Sequence, residues 1–187
     1  MLYETLRHVF RHPWNDISIA SWRKYPNTNR PDILSVDIID RSFDPETGIL
    51  RATRLITSDP NLPSWLRPWF PKSVSYCVEE SEVDPRNKRM VLRSRNYTGS
   101  TLCQLTETCT YTPSATNSSH TDFRQDVEID ANLYGIASRV ESAFMERFTS
   151  AAVKGREIME DAVATINCSY DEFVEDVEEF VDDVVGH

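Results

Sequence analysis

Residues 121 to 131, TDFRQDVEIDA, alternate in character: Phe123, Val127 and Ile129 fall on one side of an extended chain, and Asp122, Arg124, Asp126, Glu128 and Asp130 on the other. Directly afterwards the period changes. From Gly135 to about Asn167 the apolar residues Ile136, Val140, Phe144, Phe148, Ala151, Ile158, Ala162 and Ile166 form a stripe along one long helix. This switch constrains the fold more than any other feature. A strand with one wet face and a helix with one apolar stripe bury their apolar sides together when the helix lies across the sheet.

The upstream pattern supplies the rest of the sheet. DILSVDIID and GILRATRLITS, joined by the turn-rich DPETG, predict an antiparallel hairpin, and SVSYCVEESEV, KRMVLRSRNYT and LCQLTETCTYT predict further strands. Residues 14 to 25 predict a short helix that stops at Pro26, with Trp14, Ile17, Ser21 and Lys24 on one face. The sum is an α+β domain: six or seven antiparallel strands, a short N-terminal helix and a long C-terminal one, the helices covering one face of the sheet.

At 187 residues the chain suits one domain with a tail, divided here as 1–168 and 169–187. No apolar run is long enough to span a bilayer, and the first residues, MLYETLRHVFRHPW, have the character of neither a secretory signal nor a matrix presequence. The net charge of −10 is concentrated in DEFVEDVEEFVDDVVGH, whose eight acids and absent Lys and Arg leave −2 for residues 1–170. There Phe173, Val177, Phe180, Val181 and Val184 recur at helical spacing, predicting an amphipathic helix with an anionic outer face. A pI near 4.9 without a basic stripe argues against nucleic acid as a partner. Cys77, Cys103, Cys109 and Cys168 form no CxxC pair, and Cys103 and Cys109 on one strand stand roughly 20 Å apart, so all four are expected to be reduced.

No nucleophile elbow, phosphate loop, HExxH or dinucleotide glycine pattern is present, and no cofactor or metal site is expected. The spacing of His8, His12, His120 and His187 suggests no orienting partner, and Glu79 and Glu80 point to opposite faces of a strand, so no catalytic residue is assigned. The cations are more informative. Arg54 shares a strand face with Leu50, Ala52 and Ile56; Arg147 and Lys154 lie on one face of the long helix; Lys24 lies on the Trp14 side of the short one. A cation among apolar residues needs an internal acid or an anionic ligand, and several together favour an anion site.

The stretch LPSWLRPWFPKSV combines three prolines with Leu62, Trp65, Leu66, Trp69 and Phe70, flanked by Arg67 and Lys72. Proline forbids a regular element here. Pattern alone leaves two alternatives: a loop folded into the core, or a mobile lid whose aromatic residues enter a membrane interface while Arg67 and Lys72 touch lipid phosphates.

HPWNDISIASWRKYPN, VDIIDRSFDPETGILRATRLI, LPSWLRPWF, EESEVDPRNKRM, ETCTY and RFTSAAVKGRE together resemble the PRELI family of mitochondrial intermembrane-space lipid-transfer proteins, over residues 1 to about 167. The resemblance implies a START-like fold, with seven antiparallel strands curved around the long helix and enclosing one acidic phospholipid, phosphatidic acid or phosphatidylserine. It implies a headgroup site at Lys24, Arg54, Arg147 and Lys154 and an Ω-shaped lid after Leu62. It further implies a heterodimer with a small twin-CX9C protein and peripheral contact with mitochondrial membranes, without enzymatic chemistry. A lipid sensor that binds without transferring is the alternative.

Overall fold

The structure is a computed structural model describing residues 1–60, 62–70 and 74–185, with side chains described up to Tyr170. The expected lid residue Lys72 lies outside the described residues, as do the side chains of the predicted anionic face.

Among the described residues nine elements follow one another: β1 (Leu2–Phe10), α1 (Trp14–Arg23), β2 (Ile33–Phe43), β3 (Leu50–Ser58), β4 (Ser75–Asp84), β5 (Arg89–Asn96), β6 (Cys103–Pro113), β7 (Thr121–Ala131) and α2 (Ala137–Val185). The seven strands form one antiparallel sheet in the order β1-β7-β6-β5-β4-β3-β2. Strands β2 to β7 are a meander whose neighbours are joined by short connections except between β3 and β4, where residues 59–74 intervene. Strand β1 then pairs along β7, from Leu2 opposite Ile129 to Phe10 opposite Thr121.

Strand β1 is the seventh strand, which pattern alone left unassigned. Its inward residues are Leu2, Glu4, Leu6, His8 and Phe10, by register with the inward residues of β7. Glu4 and His8 interrupt an otherwise clean alternation, so the period of two is concealed. In the β2–β3 hairpin, the DPETG turn forms as expected. The Asp44 carboxylate accepts from the Glu46 amide at 2.9 Å and the Thr47 hydroxyl at 2.6 Å, and Gly48 takes a φ of +76° that a side chain would disfavour.

Helix α1 begins after Pro13, whose carbonyl accepts from the amides of Asp16 and Ile17. Asp16 in its first turn and Arg23 in its last suit the helix dipole. Trp14, Ile17, Ala20 and Ser21 face inward, and the Trp14 indole donates to the Tyr111 carbonyl at 3.2 Å, tying α1 to β6. Helix α2 is continuous over 49 residues, so the predicted long helix and the acidic tail helix are one element. It is not apolar enough to cross a membrane.

Apolar packing falls into two clusters on the inner face. One joins Phe10, Trp14, Ile17, Met90, Tyr111, Phe123 and Met159 at the α1 end. The other joins Leu62, Leu66, Val127, Ile129, Leu133 and Val140 where residues 62–70 fold down.

Candidate functional site

Between the inner face of the sheet and α2 lie two cavities. The first, of about 260 Å³, has an apolar floor that includes Phe10, Tyr111, Phe123 and Met159, and carries Lys24, Arg30, Glu79, Glu107, Gln125 and Arg156 on its walls. The second, of about 350 Å³, is lined mainly by Leu62, Trp69, Phe70, Cys103, Leu105 and Phe144. Phe148 and Phe144, one helical turn apart on α2, line the first and second cavity respectively. The two therefore lie end to end along the helix, one charged and one apolar.

The expected cations take up different positions. Lys24, at the C-cap of α1, lines the first cavity with its ammonium 5.3 Å from the Tyr25 ring centroid. Arg54 is 5 % exposed and bound internally: its guanidinium donates to Glu79 Oε1, by Nε at 2.8 Å and also by a terminal nitrogen, and lies 4.8 Å from the Trp22 ring centroid. Its partner Glu79 lines the cavity. Arg147 is exposed and donates to the Pro60 carbonyl at 2.7 Å, bracing the chain just ahead of the proline-rich segment. Lys154 is exposed and close enough for its charge to help hold the Asp32 carboxyl below the usual range, an effect due first to the hydrogen bond from Arg30. Arg54, Arg147 and Lys154 line neither of these cavities.

Two arginines that the sequence reading passed over do line the first cavity. Arg30 forms a bidentate pair with Asp32 at 2.8 and 2.7 Å, which positions it in the α1–β2 connection. Arg156 had a legible signal: it stands four residues after Ala152 and three before Met159, both buried on α2. Gly155 beside it also lines the cavity, and a Cβ built there would meet nothing within 4 Å. Among the charged groups lining this cavity, Lys24, Arg30 and Arg156 outnumber Glu79 and Glu107 by one positive charge.

The acceptors are arranged around Glu107. Its Oε1 accepts from Gln125 Nε2 at 2.6 Å and from the Cys109 thiol at 3.1 Å. Burial pushes the Cys77 thiol up to about 12 and Cys109 well above its ordinary value, so both thiols lining the first cavity stay protonated. Cys77, Cys103 and Cys109 are free thiols, as expected. His12 does have a carboxylate partner, contrary to the inference from spacing: its Nε2 lies 2.6 Å from Glu160 Oε2, bringing together groups 148 positions apart. Neither residue lines the two cavities; the pair ties the β1–α1 turn to α2.

Residues 62–70 roof the second cavity. The Pro63 carbonyl accepts from the Leu66 amide, and the Leu66 carbonyl from those of Trp69 and Phe70, so the segment is a succession of turns. Leu66 is fully buried and Leu62 nearly so, while Trp65 is half-buried beneath the Arg139 guanidinium, 4.5 Å from its ring centroid. Phe70 meets Phe144 edge-on at 5.7 Å, Arg67 is exposed, and Trp69 is 48 % exposed. Gly99 makes this seating possible: a Cβ there would lie 2.7 Å from the Phe70 ring. In this conformation the segment packs into the core and covers the second cavity.

The geometry agrees with the chain's kinship. Residues 15–169 match the profile of the PRELI-like family. The chain is 40% identical over 165 residues to "Protein slowmo homolog" of Dictyostelium discoideum, covering 88% of this chain and 72% of that one. It is 30% identical over 159 residues to "PRELI domain-containing protein 1, mitochondrial" of Gallus gallus, covering 83% and 74%. In three dimensions it superposes on a START superfamily protein from Mycobacterium smegmatis with a TM-score of 0.51 at 11% identity, over 85% of this chain and 97% of that one, a likeness of fold. A curved seven-stranded sheet closed by a long helix is thus a START-like fold, and the chain belongs to the PRELI-like family.

Proposed function

We propose that this protein transfers one acidic glycerophospholipid, phosphatidic acid or phosphatidylserine, between mitochondrial membranes across the intermembrane space. The observation that carries this reading is the pairing of a charged cavity with an apolar one roofed by residues 62–70. An amphiphile with an anionic head and acyl tails matches both halves, and the excess positive charge in the first selects the sign of the head. The chain's kinship with mitochondrial PRELI-domain proteins supports the compartment.

The mechanism uses no covalent chemistry. Trp65, Trp69 and Phe70 enter a leaflet, with Arg67 and Lys72 on its phosphates, and residues 62–70 swing away from Phe144. The headgroup exchanges membrane hydration for Lys24 and Arg156, with Arg30 alongside; Arg54 contributes through its pair with Glu79, Arg147 through the segment it braces, and Lys154 through its charge near Asp32. Closure then shields the acyl chains during transit. The working form is a heterodimer with a small twin-CX9C helical-hairpin protein, which loosens at the membrane and leaves this chain peripherally attached.

Donor-to-acceptor liposome transfer of labelled acidic lipid by the purified heterodimer tests this. Transfer is expected, reduced about tenfold or more in Lys24→Glu combined with Arg156→Glu. Extraction from donors without delivery to acceptors would identify a lipid sensor instead, and a chemically altered lipid would identify an enzyme.

A further inference from the structure

Gln125 occupies the inner face of β7, opposite Leu6 of β1 and Cys109 of β6, and is 6 % exposed. Its Nε2 donates to Glu107 at 2.6 Å, which fixes the amide orientation: turning it over would set its carbonyl oxygen against a carboxylate oxygen. The other end of the amide, Oε1, is buried and has no protein donor, the single such side-chain atom found among the described residues. Buried acceptors without donors are uncommon and costly, and this one belongs to a residue that lines the charged cavity.

We infer that Gln125, held by Glu107, is a specificity-determining residue that reads a hydrogen-bond donor in the lipid headgroup; this rests on the proposed lipid-transfer function. The cavity offers two complementary sets of groups. Lys24, Arg30 and Arg156 donate, and suit phosphate oxygens; Gln125 Oε1 and the Glu107 carboxylate accept, and suit an N–H or O–H beyond the phosphate. A phosphate monoester surrenders most of its last proton near neutrality, with a second pKa of about 6, so a bare phosphate head has little to donate. A head carrying an ammonium or hydroxyl group as well as the phosphate satisfies both sets. The net positive charge of the lining favours such a head when it remains anionic overall.

The test is competition in the liposome assay, with donor vesicles holding equal amounts of phosphatidylserine, phosphatidylglycerol and phosphatidic acid. These heads present an ammonium, hydroxyls and a bare phosphate respectively. The unmodified protein is expected to transfer one or both donor-bearing lipids about tenfold faster than phosphatidic acid. The near-isosteric Gln125→Met is expected to reduce that ratio to within about twofold of unity. A structural role for Gln125 would instead lower all three rates together and leave their ratios intact, overturning the inference. Equal transfer of all three lipids by the unmodified protein would also overturn it, whether or not the variant folds, while leaving lipid transfer itself standing. No transfer of any of them would overturn both.

Discussion

The two ends of the inner sheet face solve burial in opposite ways. At the α1 end, polar groups are held by one another: buried Arg54 pairs with Glu79, Arg30 pairs with the part-exposed Asp32, and the Glu107 carboxylate accepts from the neutral Gln125 amide. At the other end, residues 62–70 bury leucines against β7 and α2 through side-chain packing and a few turn hydrogen bonds, leaving Trp69 half in solvent. A buried ion pair cannot open without stranding a charge, whereas an apolar cover with its own internal turns can lift as a unit. Under the proposed function, the charged end would select the ligand and the apolar end would admit it.

The largest effect should come from breaking the charged end. Arg54→Ala leaves the Glu79 carboxylate buried without its partner, and should cost about 3–5 kcal/mol in chemical denaturation. Arg54→Glu should be worse, since it sets two buried carboxylates together. Loss of transfer in either variant would therefore reflect unfolding and would not by itself locate a headgroup contact.

Next, two substitutions in residues 62–70 should separate packing from membrane action. Leu66→Ala empties a fully buried site and should cost about 2–5 kcal/mol of stability. Trp69→Ala should cost less than about 1 kcal/mol, yet slow lipid extraction, because its half-exposed indole is free to enter a leaflet. The reverse ordering would return this stretch to the core alone. Combining Trp65→Ala with Trp69→Ala should slow extraction further than it lowers stability.

Gly155 sharpens the comparison with a smaller effect. A glycine inside a helix costs about 1 kcal/mol relative to alanine, and here no neighbour requires it. Gly155→Ala should raise stability by about that amount, while Gly155→Leu should fill the charged cavity and lower transfer in a protein that still folds. The opposite signs for stability and transfer would distinguish space reserved for a ligand from a packing defect.

The smallest effect is on pH dependence. Burial, and after it the charge of Arg156, hold His8 below its ordinary value of 6.5. The unfolded chain therefore takes up this proton first, so the His8 contribution is present above pH 6.5 and is lost as pH falls through the lower folded value. Asp32, lowered mainly by Arg30 from 3.8, acts in a separate and more acidic window. His8→Phe should flatten the stability profile between about pH 7 and 5 and leave the acid limb unchanged.

Much of this architecture was legible in the sequence because it is local. Alternation in TDFRQDVEIDA, the DPETG turn and the stripe on α2 each depend on residues close in the chain. Strand β1 escaped because Glu4 and His8 occupy inward positions that only pairing with β7 defines. At the site, inward placement of Arg54 could be read from its strand face, but its commitment to Glu79 depends on the register of β3 with β4. Gln125 sat in plain view on the apolar side of its strand, between Phe123 and Val127, where a polar residue demands an explanation. The His12–Glu160 contact joins distant parts of the chain and has no local signal.

Native mass spectrometry of the protein purified from mitochondria, with the proposed partner if it co-purifies, tests the central claim most directly. A chain with a charged and an apolar cavity built for one amphiphile should carry a single unmodified acidic glycerophospholipid, lost when Lys24→Glu and Arg156→Glu are combined in a folded protein. Protein found only without lipid, or carrying the same lipid undiminished in that double variant, would contradict it.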